Sequence, residues 1–363
     1  MLFQSNDPAS GHFPKRIAVI PGDGIGPEVI AEALKVLQAL PSAGQRFQFQ
    51  MFDWGADRYL RDGTTLPADA PEMFRRNFDA ILFGAVGDPR VPSNSYAAEI
   101  LLGLRVALDL YANVRPVELL DASLTPLRDR REEEVRFTVI RENTEGHYAG
   151  VGGQFRRGSM EEVAIQEDVN TRRGVERILR YAFEYARQNG LKRVCMSDKS
   201  NALIHGHELW QRVFAIVRAE YPDIEARHLY IDTTAMEMVR DPGQFSVIVA
   251  CNLFGDILSD LGAQLAGGLG LAPSGNIHPG QVSLFEPVHG SAPDIAGQNR
   301  ANPSAAVLSA SMMLDHLELP EEARRLRGAV RTAVRSRQTT VELGGTLGTR
   351  EAGDWLAERV AKG

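Results

Sequence analysis

Short runs of β-branched and aliphatic residues alternate along the chain with stretches whose apolar positions recur every three or four residues. Arg16 to Ile20 (RIAVI) reads as a strand, as do Asp79 to Phe83, Val135 to Arg141, Arg193 to Met196 and Phe245 to Cys251. Helical patterns lie between them. Pro27 opens one that runs to Leu40, with Val29, Ile30, Ala33, Leu34, Leu37 and Leu40 along one stripe. Proline suits the first helical position, because its missing N–H has no partner there anyway. Thr171 to Asn189 and Asn302 to Leu317 continue the theme. This alternation predicts an α/β chain with a largely parallel sheet. Gly150 to Gln166 departs from it: glycine-rich, then charged, then EVAIQED, it reads as a projecting hairpin or arm.

A chain of 363 residues suggests about two domains, and no shift in composition marks a single linker, so the domains are expected to interleave. A net charge of −7 gives no electrostatic case for nucleic acid. No apolar run is long enough for a membrane span. The opening MLFQSNDPASGHFP lacks the basic start and apolar stretch of a signal peptide and reads as a loose tail. Cys195 and Cys251 each end an apolar run, which fits buried thiols in a reducing cytoplasm better than a disulfide or a zinc site.

Candidate chemistry begins at Asn252 to Asp260, NLFGDILSD. Asp256 and Asp260 stand four residues apart beside an apolar stripe of Leu253, Phe254, Ile257 and Leu258, so on a helix they share a face. Two carboxylates on one turn suit a hard divalent cation, although a solvated helix face has the same pattern. Arg105, Arg115 and Arg141 could together clamp carboxylates through paired hydrogen bonds; singly, each would be solvated or paired as structure. Arg105 and Arg115 read as flanking an apolar helix end. Tyr148 by itself reads as packing, and Lys199 as an exposed loop residue whose pKa could fall near a metal and other cations. Asp232, after HLYI, reads as a helix N-cap. His147 and His289 lack transition-metal spacing. PGDGIGPE (Pro21 to Glu28) fails the dinucleotide glycine fingerprint, because Pro27 occupies the position of the required third glycine, and reads as a tight turn. EPVHGSAPDIAG (Glu286 to Gly297) is a turn-rich loop with free backbone donors.

Taken together, the segments IPGDGIGPEV, DLYANVRP, RENTEG, DKSN, NLFGDILSDL and EPVHGSAPDIAGQNRANP closely resemble the β-decarboxylating dehydrogenases, a family that includes 3-isopropylmalate, isocitrate, homoisocitrate and tartrate/D-malate dehydrogenases. The resemblance runs from about Arg16 to about Leu356. It implies a two-domain fold without a classical Rossmann fingerprint. Residues 1–110 with 262–363 would form the cofactor side; 111–261 would carry metal, substrate and dimerisation functions, with an arm near 149–168. It implies Asp232, Asp256 and Asp260 as ligands of Mg²⁺ or Mn²⁺, with a monovalent cation such as K⁺ a further candidate. Leu101, Arg105, Arg115, Arg141 and Asp232 would contact the substrate. Lys199 would be the general base and Tyr148 the general acid. Glu286, His289, Gly290, Ser291, Ala292, Asp294, Ile295 and Asn302 would hold NAD, Asp294 favouring it over NADP. Family members are dimers in which Lys199 and Asp232 would reach into the partner's site. The expected protein is a cytoplasmic homodimer that acts on a small molecule and binds neither nucleic acid nor membrane.

For the substrate, Glu99 and Leu101 replace the Ser and Asn that hold isocitrate's extra carboxylate, and Leu102 replaces the Arg of homoisocitrate enzymes. The apolar run of Ile100, Leu101, Leu102 and Leu104 favours an alkyl substituent, as in 3-isopropylmalate; about three buried carbons would contribute roughly 2–3 kcal/mol. Against this, RENTEG and VAIQEDVNTRRGVERILRYAFEYAR look more like the tartrate/D-malate branch. A non-catalytic regulatory subunit would have lost the metal acids, the Lys or the Tyr, all of which are present. A metal-dependent hydrolase would leave the Glu286 to Asn302 loop without a purpose.

Overall fold

In a computed structural model the chain is described over residues 14–41, 43–93 and 95–363. All but Pro14 of the stretch read as a loose tail lies outside the described residues. The strands, in chain order, are β1 (Lys15–Gly22), β2 (Phe47–Met51), β3 (Ala80–Ala85), β4 (Ala112–Glu118), β5 (Arg136–Glu142), β6 (Gly152–Phe155), β7 (Val163–Gln166), β8 (Arg193–Asp198), β9 (Glu225–Tyr230), β10 (Val247–Ala250), β11 (Pro273–Ile277) and β12 (Ser283–Pro287). The chain divides into two compact units, Met1–Leu101 with Gly280–Gly363, and Leu102–Pro279.

In the first unit the strand order is β2–β1–β3–β12, all parallel. Ile17 to Ile20 and all of β3 are buried, as continuous apolar runs in a parallel sheet covered on both faces should be. The helix read from Pro27 runs Gly26–Gln38 and buries Val29, Ile30, Ala33, Val36 and Leu37. The helix read from Asn302 runs Ser304–His316; Asn302 lies outside it, its side-chain carbonyl accepting the Ser304 N–H at 3.0 Å.

In the second unit the order is β11–β4–β5–β10–β8–β9. β5, β10, β8 and β9 are parallel, whereas β4 runs antiparallel to both β5 and β11. Arg115 therefore lies inside a strand, opposite Val139, and not at a helix end as its setting suggested; the helix before it stops at Ala107. Val117, Phe137, Val139, Cys195, Ile248 and Leu258 meet in this unit's core. Both cysteines are free and buried, with burial pushing the thiols up to about 11 for Cys195 and about 12 for Cys251. β6 and β7 form the hairpin anticipated between Gly150 and Gln166. No helix among the described residues is long and apolar enough to cross a membrane.

Candidate active site

The site grows from the carboxyl ends of β5 and β10, where open parallel sheets usually hold ligands. Arg141, next to last in β5, is 2% exposed and pairs in register with Ala250, the last residue of β10. The helix Asn252–Leu265 starts just beyond β10. It can lie against β5 because residue 255 is glycine: a Cβ there would stand 2.6 Å from the Cβ of Arg141. The face turned inward is Asn252, Gly255, Leu258, Ser259 and Gly262, while Ile257 is 53% exposed. The expected apolar stripe is thus only partly a core face, since the close approach to Arg141 selects small and polar residues there.

This packing sets Asp256 among cations. Its Oδ1 accepts from Arg115 at 3.0 Å and from Arg141, and its Oδ2 accepts from the Tyr148 hydroxyl at 3.1 Å. Asp260, one turn on, lies 3.4 Å from Arg115. Arg105 is 5% exposed and near enough for its charge to act on Asp256. Burial works to raise the Asp256 pKa, but Arg141 and Arg115 outweigh it and hold the carboxyl below its usual value. At Asp260 burial prevails over Arg115, and Asp256 adds to it, so that carboxyl is raised. Burial, joined by the Asp256 charge, also raises the Tyr148 hydroxyl, which keeps its proton at neutral pH. Burial and the nearby Arg115 disfavour the Arg141 cation, countered by Asp256. A cluster with more guanidinium than carboxylate charge suits an anionic ligand.

The loops are fixed by residues that pattern reading passed over. In RENTEG, Glu142 accepts the backbone N–H groups of Thr144 and Glu145, and the Asn143 side chain donates to Leu110 O and to Asn276 Oδ1, each at 2.9 Å. Asn113, from DLYANVRP, donates to Ser274 at 2.7 Å and to the same Asn276 oxygen at 3.1 Å. Glu145 accepts from both the N–H and the hydroxyl of Thr171, the N-cap of the helix Arg172–Gln188. Their signal in the sequence was polar residues directly following apolar strand positions.

Lys199 and Asp232 form a separate pair at 2.9 Å, and the Lys199 bond is the main cause of the depressed Asp232 carboxyl. Asp198, 1% exposed, organises this loop by accepting from Ser200, Gln211 and His228. Asp232 sits inside the first turn of the helix Ile231–Arg240; the N-cap is Tyr230, so the capping role read for Asp232 does not hold. Among the described residues no three His, Cys, Asp or Glu side chains gather in a metal-binding group, so Asp232 does not join Asp256 and Asp260 within one chain.

The segment proposed for the cofactor lies on the tight turn of PGDGIGPE. Ile25 N–H donates to Ser291 O at 2.8 Å, and Gly24, at φ +58°, would drive a Cβ to 1.9 Å from that oxygen. Glu286 and Ser291 are buried, Ala292 and Ile295 half-buried, and Gly290 and Asp294 exposed. Among the described residues, His289 Nε2 and Asn302 Nδ2 are buried without a hydrogen-bond partner. Burial lowers the His289 pKa, leaving a neutral ring. Leu101 and Leu102 are half-buried, but Ile100 and Leu104 are fully buried and serve packing, which leaves two of the four apolar residues read as a pocket.

A family model described as isocitrate/isopropylmalate dehydrogenase matches residues 16–356. A 3-isopropylmalate dehydrogenase of Thermobifida fusca is 49% identical, the alignment covering 96% of this chain and 98% of the relative. One from Streptomyces coelicolor is 46% identical over 93% of this chain and 98% of its own. Among solved structures, isocitrate dehydrogenase from Methylococcus capsulatus superposes with a TM-score of 0.85 at 38% identity, covering 96% of this chain and 99% of that one. A β-decarboxylating dehydrogenase from Thermococcus kodakarensis in its apo form gives 0.78 at 38% identity, with 96% of each chain covered.

Proposed function

The chain belongs to the isocitrate/isopropylmalate dehydrogenase family, and from that membership we propose that it converts 3-isopropylmalate to 4-methyl-2-oxopentanoate and CO₂ with NAD⁺ and Mg²⁺ or Mn²⁺. It is an oxidoreductase, a decarboxylating dehydrogenase that acts on a CH–OH group. The observation that carries the reading is the Asp256 carboxylate, held by Arg115 and Arg141 and touched by the Tyr148 hydroxyl.

Arg105, Arg115 and Arg141 bind the two carboxylates of the malate core and present C2 and C3 to the proton-transfer groups. Lys199 accepts the C2 hydroxyl proton as the C2 hydrogen leaves with its electron pair. The bond from C3 to its carboxylate then breaks, CO₂ departs, and Tyr148 returns a proton to C3. Its raised pKa suits a group that must arrive protonated. Asp256, Asp260 and Asp232 are the all-oxygen donor set that Mg²⁺ or Mn²⁺ takes, and the raised Asp260 carboxyl is a group that a cation would relieve. His289 and Asn302 offer buried polar atoms that still need partners, which fits an adenosine. When bound, the metal supplies Lewis acidity at the substrate oxygens and NAD⁺ supplies the hydride acceptor.

A second copy of the chain completes the site. The hairpin exposes Phe155, Met160, Val163 and Ile165, and the helix Ile231–Arg240 exposes Met236 and Val239; apolar surface of this extent belongs against a partner. That partner's Lys199 and Asp232 would join Asp256 and Asp260.

The test is a panel of 3-isopropylmalate, D-malate, tartrate and isocitrate with Mn²⁺ and either NAD⁺ or NADP⁺, following reduced cofactor. The highest kcat/KM is expected with 3-isopropylmalate and NAD⁺, because Asp294 would accept the ribose hydroxyls and repel a 2′-phosphate. Preference for D-malate or tartrate overturns the substrate; preference for NADP⁺ overturns the role of Asp294.

A further inference from the structure

Four buried or half-buried polar side chains in the second unit take no part in the chemistry above, yet they connect its two proton-transfer residues. The Lys199 backbone N–H donates to His207 Nδ1 at 2.9 Å. A donor there requires a lone pair on Nδ1, so the ring proton is on Nε2. Nε2 lies 3.5 Å from Asp168 Oδ2. The other oxygen, Asp168 Oδ1, lies 3.4 Å from Nδ1 of His147, the residue next to Tyr148. Asn170 donates to Asp168 Oδ2 at 2.8 Å and itself accepts from the Trp210 indole at 2.8 Å. Gly146 N–H donates to Val169 O at 2.8 Å, which draws the ENTEGHY segment against the stretch after β7 that carries Asp168. His207 and Trp210 are each 1% exposed, while Asp168 and His147 are partly buried.

A carboxylate withdrawn from water is costly unless it is paired. Among the described residues Asp168 meets no lysine or arginine: it accepts a hydrogen bond from the Asn170 amide, and the two imidazoles stand at 3.4 and 3.5 Å, within electrostatic reach but not hydrogen-bonded. Those imidazoles sit at the Lys199 backbone and beside Tyr148. Resting on the reading of Lys199 as base and Tyr148 as acid, we propose that Asp168 and His207 are positioning residues: His207 fixes the main chain from which Lys199 departs, and Asp168 anchors His207 on one side and His147 on the other.

Lys199 is the first residue beyond β8. Its carbonyl accepts the Ala202 and Leu203 N–H groups at 2.9 and 2.8 Å, and its own N–H is held by His207, so the His207 contact fixes the amide side of the residue from which the side chain leaves. Misplacing a reacting group by about 1 Å can cost about 10²-fold in rate. The side chains of Asn and Gln divide the two functions of His207. Asn places an oxygen where Nδ1 was, keeping the acceptor for Lys199; Gln reaches toward Nε2 and loses it.

The experiment compares His207→Asn, His207→Gln, His147→Phe and Asp168→Asn, with Lys199→Met and Tyr148→Phe as references. For each, kcat, KM, melting temperature, and the reduction and decarboxylation of the β-keto acid are measured with Mn²⁺ and cofactor. His207→Gln should lower kcat by about 10- to 100-fold with KM little changed, its deficit falling in reduction as for Lys199→Met. His207→Asn should keep most of the turnover. His147→Phe should impair decarboxylation as Tyr148→Phe does, and Asp168→Asn should impair both halves. If His207→Gln does not fold, the decision passes to the contrast of Asp168→Asn, slowed in both halves, with His207→Asn, which is not. Equal effects of Asn and Gln at 207, losses carried by KM, or losses that follow melting temperature in every variant would overturn the proposal. Full activity of Lys199→Met would instead overturn the reading of the base itself, and the positioning role with it.

Discussion

At the scale of single residues, Asp256 and Asp198 show how similar carboxylates diverge with their surroundings. Asp256 is half-exposed and faces Arg115, Arg141 and Tyr148, a setting for chemistry. Replacing it with Asn should lower kcat by about 10²-fold or more, since metal-assisted charge stabilisation is worth several kcal/mol, while circular dichroism remains native. Near-native turnover at saturating Mn²⁺ would remove Asp256 from the site. Asp198 is fully buried and serves the loop. Burial pushes its carboxyl up, but His228, Ser200 and Gln211 more than offset this and leave it below its ordinary value of 3.8. The folded form therefore holds its proton less tightly than the unfolded form. The stability so contributed is complete well above the unfolded value and is lost as pH falls through the folded one. Urea midpoints for the protein and for Asp198→Asn should differ at about pH 7 and converge as the pH falls through the folded value; a gap independent of pH would count against this account. The sequence made Asp256 legible through its four-residue spacing from Asp260. It gave no such sign for Asp168 and His207, 39 positions apart by number, because only the pairing of Gly146 with Val169 and the start of the helix Gly206–Arg218 bring them together.

Among the secondary-structure elements, the helix Asn252–Leu265 matters most, and its seating depends on Gly255. Gly255→Ala should press the helix away from Arg141, since a Cβ would meet that side chain at 2.6 Å. Overpacking of this kind typically costs about 1–3 kcal/mol, so a lower melting temperature is expected. A fall of about tenfold or more in kcat/KM should accompany it, because Arg141 and Asp256 move apart. Lost stability with unchanged kinetics would mean that the contact serves packing alone. Strands with continuous apolar runs, such as β1, β3 and β10, were readable because burial on both faces leaves no polar alternation. β4 was not: ANVRPVE carries Asn113 and Arg115 inside a buried strand, where cross-sheet partners and Asp256 satisfy groups that sequence alone assigns to a surface. β11 and β12 are short segments amid Gly and Pro and give almost no period.

For the molecule as a whole, the alternation of strands and helices conveyed the α/β class, and the six motifs conveyed the family. What periodicity could not convey is that Asp232 stays apart from Asp256 and Asp260 within one chain, since spacing along a sequence does not reveal which copy completes a site. The central claim is that each active site takes Asp256 and Tyr148 from one copy and Lys199 from another. Heterodimers of Lys199→Met and Asp256→Asn chains test it most directly. Each variant alone should be inactive. In a heterodimer one site receives both substitutions and the other receives neither, so statistical reassembly of equal amounts should restore about one quarter of the original turnover. Verified heterodimers that stay inactive would contradict a site divided between two chains.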